Sequence, residues 1–261
     1  MMEISDTFFE LKVFDWIEDL KWDIEKAPVR VLLYGGSGSG KTHLLKFLMI
    51  KQFIDGPLFK FGRLYSSTHE VSSDYDYLPD SCKRTKFDIN QLMSYINNMR
   101  KTIKKNRTIN SEFKTPPNFI IFDDMLGLVG QYKDDFRNFI ATCRHTNTSI
   151  FFTAQQHSGA GTTLKSNLTH AFIFITNNET ELDGVGTMIG LKAKSLLKVF
   201  RRKCKEKYQC LLYINHVDLL NDYNENGQSS PRYYRSFKAP ADLPDDVVII
   251  PNSFNEKGST L

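Results

Sequence analysis

The residues best suited to chemistry form one eight-residue run, Gly35-Gly36-Ser37-Gly38-Ser39-Gly40-Lys41-Thr42, which fits the pattern G-x-x-x-x-G-K-[ST]. Glycines let successive backbone N–H groups converge on anionic oxygens, and a helix beginning there adds partial positive charge. Lys41 has the reach for β- and γ-phosphates, and the Thr42 hydroxyl suits Mg²⁺. A Gly/Ser linker could match the pattern by chance, but here both flanks are right. Val29 to Tyr34 reads VRVLLY, a run suited to a buried strand, and Leu44, Leu45, Phe47, Leu48 and Phe53 follow at helical spacing. Strand, loop and helix therefore come in the order that a nucleoside triphosphate cradle requires.

A second constellation lies at Asn118-Phe119-Ile120-Ile121-Phe122-Asp123-Asp124, an apolar run closed by two acids. Such a run reads as a strand buried on both faces. In an open α/β sheet its C-terminal end shares an edge with the glycine-rich loop, which is where ligands collect. Asp123 then suits Mg²⁺, and Asp124 is placed to orient or deprotonate an attacking water. The alternative is an acid pair favouring a helix N-terminus. A small-molecule kinase has no need of the second carboxylate.

Several elements must hold these groups in place. A helix period over 6–24 (Phe9, Val13, Trp16, Ile17, Leu20, Ile24) has an acidic opposite face and can dock on the core or on a partner subunit. Residues 62–66 read as a second strand. Asp88 caps a periodic helix carrying Ile89, Leu92, Met93, Ile96, Met99 and Ile103. A helix over Asp134 to Arg144 precedes a strand over Ser149 to Ala154. A short helix over 162–169, a strand over 171–175, a basic helix over 191–207 and a strand over 208–214 complete the core. The alternation implies a mostly parallel sheet covered on both faces. The expected division is an acidic N-terminal helix (1–27), a core (28–215) and a polar tail (216–261) containing Pro231, Pro240, Pro244 and Pro251.

Bulk properties narrow the class. Lys+Arg 34 against Asp+Glu 30 gives a net charge of +4, which says little by itself. Its distribution says more: residues 1–25 hold eight acids and two bases, 189–207 eight bases and one acid, and 98–107 five bases and no acid. Cys82, Cys143, Cys204 and Cys210 are scattered without a C-x-x-C, so reduced core thiols in an intracellular setting are expected. The acidic start argues against a signal peptide, and no apolar run has the length of a membrane span. The expectation is a soluble protein with no membrane partner.

Beyond Asp123-Asp124 the order continues with Arg144-His145-Thr146-Asn147-Thr148-Ser149, a strand ending at Gln155, then Leu164, Asn167 and Ala171 to Ile175. Over roughly 28–215 this resembles the genome-packaging ATPases of poxviruses and other large DNA viruses of eukaryotes, a branch of the FtsK/HerA superfamily. The resemblance implies an α/β P-loop NTPase of RecA-like (ASCE) type, with ATP and Mg²⁺ as ligand and cofactor. It also implies that the strand ending at Gln155 lies between the glycine-loop strand and the Asp123 strand, so that Gln155 faces the γ-phosphate or attacking water. A strand-end glutamine satisfied by backbone is the plainer reading. Many relatives carry Glu where this chain has Asp124, which loosens the general-base assignment. The partners implied are double-stranded DNA, further copies of the chain in a homo-oligomeric ring, and a capsid vertex protein, at a host-cell assembly site or in the virion.

Arg144 follows from geometry. It closes the helix leading into the strand that ends at Gln155, so it belongs near the N-terminal edge of the sheet, away from its own nucleotide. A catalytic role would have to be played in a neighbour's site, as an arginine finger in trans; otherwise it is a helix-terminal cation. For DNA phosphates the densest basic segments offer Arg201, Arg202 and Lys203, then Lys104 and Lys105, with a solvated surface as the equal alternative. The rival functions are a P-loop kinase or other NTPase acting on a small substrate, and a nucleotide-dependent DNA-binding structural subunit. No N-K-x-D follows the glycine loop to read guanine.

Overall fold

A computed structural model of the chain describes residues 27–54, 59–125, 127, 131–156, 164, 167–176, 178–189, 193–204, 206–215 and 232–237. The leading strand, β1 (Arg30–Tyr34), feeds the glycine loop and then α1 (Lys41–Ile54). β2 (Phe61–Ser66) follows, then two single 3₁₀ turns, Ser73–Tyr75 and Asp80–Cys82, and the two-residue β3 (Lys83–Arg84). α2 (Ile89–Ile109) starts at Asp88, whose carboxylate accepts hydrogen bonds from the Asn90 and Gln91 backbone N–H groups. β4 (Asn118–Asp123), α3 (Lys133–Cys143) and β5 (Thr148–Ala154) come next. β6 (His170–Phe174), α4 (Glu179–Ile189), α5 (Ala193–Lys203), β7 (Cys210–Asn215) and β8 (Arg232–Phe237) finish the order.

The strands form one sheet in the order β3-β2-β4-β5-β1-β6-β7-β8. The first six are mutually parallel, and β7 and β8 run antiparallel. β5 lies between β1 and β4, the placement the resemblance implies. Alternate residues of each strand serve opposite faces, as the pleat requires. Leu32, Tyr34, Ile120 and Phe122 join a core with α2, α3, α4 and α5. Val31, Leu33, Phe119 and Ile121 join a second core with α1 and with Tyr75, Tyr77 and Leu78. Helices thus cover both faces of a mostly parallel sheet, the RecA-like α/β architecture expected.

Two packing details stiffen the sheet near the acid pair. The rings of Tyr65, Phe122 and Phe152, in register on β2, β4 and β5, stack with centroids 5.4 and 5.2 Å apart. On the other face Gly62 lies opposite Phe119, whose ring carbon Cζ is 2.0 Å from where a Cβ would stand. Only glycine fits there.

The structure departs from the expected elements in three ways. The strand expected over 208–214 runs antiparallel, because α5 delivers the chain to the sheet edge at which β6 ends: Cys210 pairs with Phe174. The tail adds β8, which pairs with β7 from Cys210 opposite Phe237 to Asn215 opposite Arg232. α4 is a full helix, although its two glycines obscured the period. The amphipathic helix expected over 6–24 lies outside the described residues, as do 216–231 and 238–261 of the tail. All four cysteines are free; Cys82, Cys143 and Cys210 are buried, and burial pushes the partly covered Cys204 thiol up to about 12. Among the described residues no helix is long and apolar enough to cross a membrane.

Candidate nucleotide-hydrolysis site

The glycine loop leaves β1 with its first N–H already anchored: Gly35 N donates to Ala154 O on β5 at 3.0 Å. Gly38 and Gly40 have φ of 69° and 99°, left-handed values that glycine adopts at no steric cost. A Cβ on Gly35 would stand 2.7 Å from Phe174 Cβ and 2.8 Å from Ser39 Oγ, so this glycine answers to space rather than dihedral. Lys41 is 8% exposed and folds back into the loop, its Nζ donating to Gly35 O at 2.7 Å and Gly36 O at 2.8 Å. Burial lowers its pKa, and the Asp124 and Asp123 carboxylates oppose that shift. The lysine and both acids therefore share one electrostatic neighbourhood.

Strand register builds the acidic side. Ser66, Asp123 and Thr153 stand side by side on β2, β4 and β5, one step beyond the stacked rings. Ser66 Oγ donates to Asp123 Oδ2 at 2.8 Å and Thr153 Oγ1 to Asp123 Oδ1 at 2.6 Å, so both carboxylate oxygens are held. Asp124 has φ 53°, and its N–H donates to Thr153 Oγ1 at 3.0 Å and Thr153 O at 3.2 Å. That left-handed turn swings its side chain off the strand line. Asp tolerates it better than most residues do, which gives a local reason for the shorter acid at this position. Gln155 Nε2 donates to Asp124 Oδ2 at 2.7 Å, and both side chains are exposed. Gln155 thus meets the second acid instead of being satisfied by backbone.

Tyr75 and Tyr77 close the site from behind. Both are buried, and burial followed by the Asp123 charge drives both phenols well above their ordinary range. The Tyr75 hydroxyl approaches Asp123 without a hydrogen bond of ordinary geometry. Sequence reasoning missed Ser66, Thr153 and both tyrosines; a Ser and a Thr at strand ends beside an acid were the only visible signal.

The donor set fits a magnesium nucleotide. Ser39 Oγ is buried in the loop without a partner, as expected of a group waiting for an anionic oxygen. Asp123 supplies one oriented carboxylate and Thr42 a half-buried hydroxyl at the helix start. Among the described residues no cluster of three or more His, Cys, Asp or Glu forms an all-protein metal cage. Mg²⁺ suits such a site, because it usually takes one or two carboxylates and completes its shell with phosphates and water.

The remaining candidates lie elsewhere. Arg144 caps α3, is exposed, and acts electrostatically on Arg30 at the start of β1, where burial and then Arg144 lower the Arg30 pKa. It therefore sits at the opposite end of β1 from the glycine loop, about 15 Å away for a five-residue strand. At that same edge Arg100, Ile103, Lys104, Arg107, Thr108 and His145 line an open hollow of about 330 Å³. The sequence had not suggested that these cations share one face. Lys105 is exposed beside them. Arg201 is exposed on α5, and the side chains of Arg202 and Lys203 lie outside the described set. α5 leads to the edge bearing the glycine loop and α2 to the other, so the two basic segments do not merge into one patch.

Against known families, residues 20–224 match the poxvirus A32 protein family. The chain belongs to that family. The glycine loop, the oriented acid and the second carboxylate give this poxvirus A32 family member the site of a P-loop NTPase fold. Among solved structures, the pCW3 conjugation coupling protein TcpA, solved with ATPγS, superposes with a TM-score of 0.56 at 11% identity, covering 86% of this chain and 63% of that one. EssC (ATPases 2 and 3) from Geobacillus thermodenitrificans gives 0.50 at 14%, covering 89% and 43%. The genome packaging NTPase B204 from Sulfolobus turreted icosahedral virus 2 gives 0.47 at 15%, covering 82% and 98%. TcpA and EssC establish the shared fold; the chain spans less than two thirds of either. No curated protein sequence matches the chain significantly.

Proposed function

We propose that this chain is an ATP-driven translocase of double-stranded DNA that loads a viral genome into a capsid, working as a homo-oligomeric ring. One observation carries the reading: Lys41, Asp123, Asp124 and Gln155 gather at one sheet edge while Arg144 stands at the other. A chain with its finger arginine a strand's length from its own loop can complete a site only by meeting a neighbour.

Lys41 would leave its carbonyl contacts in the loop and bind the β- and γ-phosphates. Asp123 and Thr42 would hold Mg²⁺, which when bound neutralises charge developing on the phosphate oxygens. Asp124 orients a water and takes its proton as the water oxygen bonds to the γ-phosphorus and the bond to the β–γ bridging oxygen breaks, releasing ADP. Gln155, bonded to Asp124, couples that carboxylate to β5 and so to the next subunit. Arg144 of an adjoining copy would stabilise the transferring group, a contribution on the order of 10³–10⁵ in rate. Arg201, Arg202, Lys203, Lys104 and Lys105 are the candidates for DNA phosphates, contacts that hold any sequence equally. A capsid vertex protein is the expected docking partner, at the host-cell assembly site or in the virion. ATP hydrolysis measured with and without duplex DNA tests the reading. Stimulation by DNA that vanishes in Lys41→Ala supports it, and phosphate transfer to a small acceptor with no response to DNA refutes it.

A further inference from the structure

β1 has different neighbours on its two sides. On one side, β5 and β4 bring Thr153, Gln155 and the two acids to the loop. On the other side come β6 and then β7, and β7 starts at the edge where the loop opens, since Cys210 pairs with Phe174. A triphosphate lying along the loop with its γ end at the acids must send its nucleoside end toward the β6–β7 side. The residue standing there is Tyr208.

Tyr208 occupies the turn between α5 and β7 and has φ 66°. A bulky residue holds a left-handed backbone at a cost, and does so where the surroundings enforce it. The turn is tied by Gln209 N donating to Glu206 O at 3.2 Å and Glu206 N donating to Gln209 Oε1 at 3.1 Å. The Tyr208 ring lies against the last glycine of the loop: a Cβ on Gly40 would be 3.3 Å from its Cδ1. Tyr208 is nonetheless 48% exposed as a residue, and the Lys207 ammonium sits 4.7 Å from its ring centroid. Tyr208 thus stands half in water beside the phosphate cradle, with Lys207 over one side of its ring and Gly40 against its edge carbon Cδ1.

We infer that Tyr208 is the platform on which the base of the bound nucleotide stacks, with Lys207 fixing the ring by a cation–π contact. The inference rests on the ATPase reading and adds the part that holds the base. Every base has a π face, so such a platform supplies affinity without choosing adenine over guanine.

Binding affinities for ATP, GTP and inorganic tripolyphosphate, measured with Mg²⁺ on the full chain, provide the test. Tyr208→Asn removes the ring while keeping a residue that accepts positive φ, and Tyr208→Phe keeps the ring. Tyr208→Asn should bind ATP and GTP about tenfold or more weakly, the usual effect of losing a base–aromatic stack. Its affinity for tripolyphosphate should match the parent, and Tyr208→Phe should bind all three as the parent does. Should Tyr208→Asn fail to fold, Tyr208→Trp serves: its fluorescence should be quenched by ATP and not by tripolyphosphate. Equal losses for ATP and tripolyphosphate in Tyr208→Asn would make the ring a structural cover for Gly40 and overturn the inference. So would a Tyr208→Trp signal indifferent to the base. A parent protein that binds ATP no better than tripolyphosphate overturns the platform alone, whereas one that binds neither overturns the ATPase reading with it.

Discussion

Replacing Thr153 by valine removes the hydroxyl that orients the metal-binding acid and accepts one hydrogen bond from the Asp124 N–H. Thr153 is 1% exposed on a central strand, so valine fills the same space and suits the strand; only the hydroxyl is lost. That hydroxyl donates to Asp123 Oδ1 at 2.6 Å, a charge-assisted bond of the kind that contributes about 1.5–3 kcal/mol. Two retained contacts push the cost to the lower end: Ser66 Oγ still holds Asp123 at 2.8 Å, and Asp124 N–H still finds Thr153 O at 3.2 Å. The expected stability loss is therefore about 1.5 kcal/mol, read as a lower urea midpoint at unchanged slope. Asp123 freed on one side should bind Mg²⁺ about tenfold more weakly, the usual effect of removing a partner behind a metal ligand. Titrating Mg²⁺ against ATP hydrolysis would show the shift, while nucleotide affinity without Mg²⁺ stays at the parent value. A Thr153→Val protein with the parent's urea midpoint and Mg²⁺ dependence would refute the role of the in-register hydroxyl.

Other consequences follow from the same geometry. Gly62→Ala drives a methyl into the Phe119 ring and should destabilise by about 1–3 kcal/mol, since overpacking cannot relax within a buried strand pair; an unchanged melting temperature would contradict the 2.0 Å approach. Charge reversal at Arg201, Arg202 and Lys203 should weaken duplex binding and lower the salt slope by about one per lost contact, without sequence preference. An unchanged slope would return the segment to solvated surface. Arg144→Ala and Lys41→Ala subunits should each be inactive alone yet recover hydrolysis when mixed, because mixed interfaces pair an intact loop with an intact finger. Co-assembly without recovery would leave Arg144 a helix-terminal cation.

How much of this was legible beforehand depended on the kind of signal. The apolar runs of β1, β4, β5 and β6 and the Asp88 cap of α2 are local features, and the structure places them within a residue or so of expectation. The glycine loop and Asp123-Asp124 were legible because phosphate and metal chemistry demand those residue types. Ser66 and Thr153 were not, because their role comes from register across three strands, which no spacing in the chain encodes. β8 hid in a polar, proline-containing segment: Arg232–Phe237 becomes a strand only because β7 offers it an open edge. α4, with Gly184 and Gly186 inside it, is helical through the packing of Leu182, Val185, Met188 and Ile189 and not through propensity. Tyr208 reads as the first residue of a strand, but β7 starts only at Cys210, and the tyrosine falls in the turn before it, beside Gly40.

Displacement of a triplex-forming oligonucleotide from linear duplex DNA measures directed motion along the duplex, beyond ATP consumption or DNA binding. The account predicts ATP-dependent displacement by the parent protein, none with a non-hydrolysable analogue, and none by Lys41→Ala. ATP hydrolysis stimulated by duplex DNA, with the oligonucleotide left in place under every condition, would contradict the translocase.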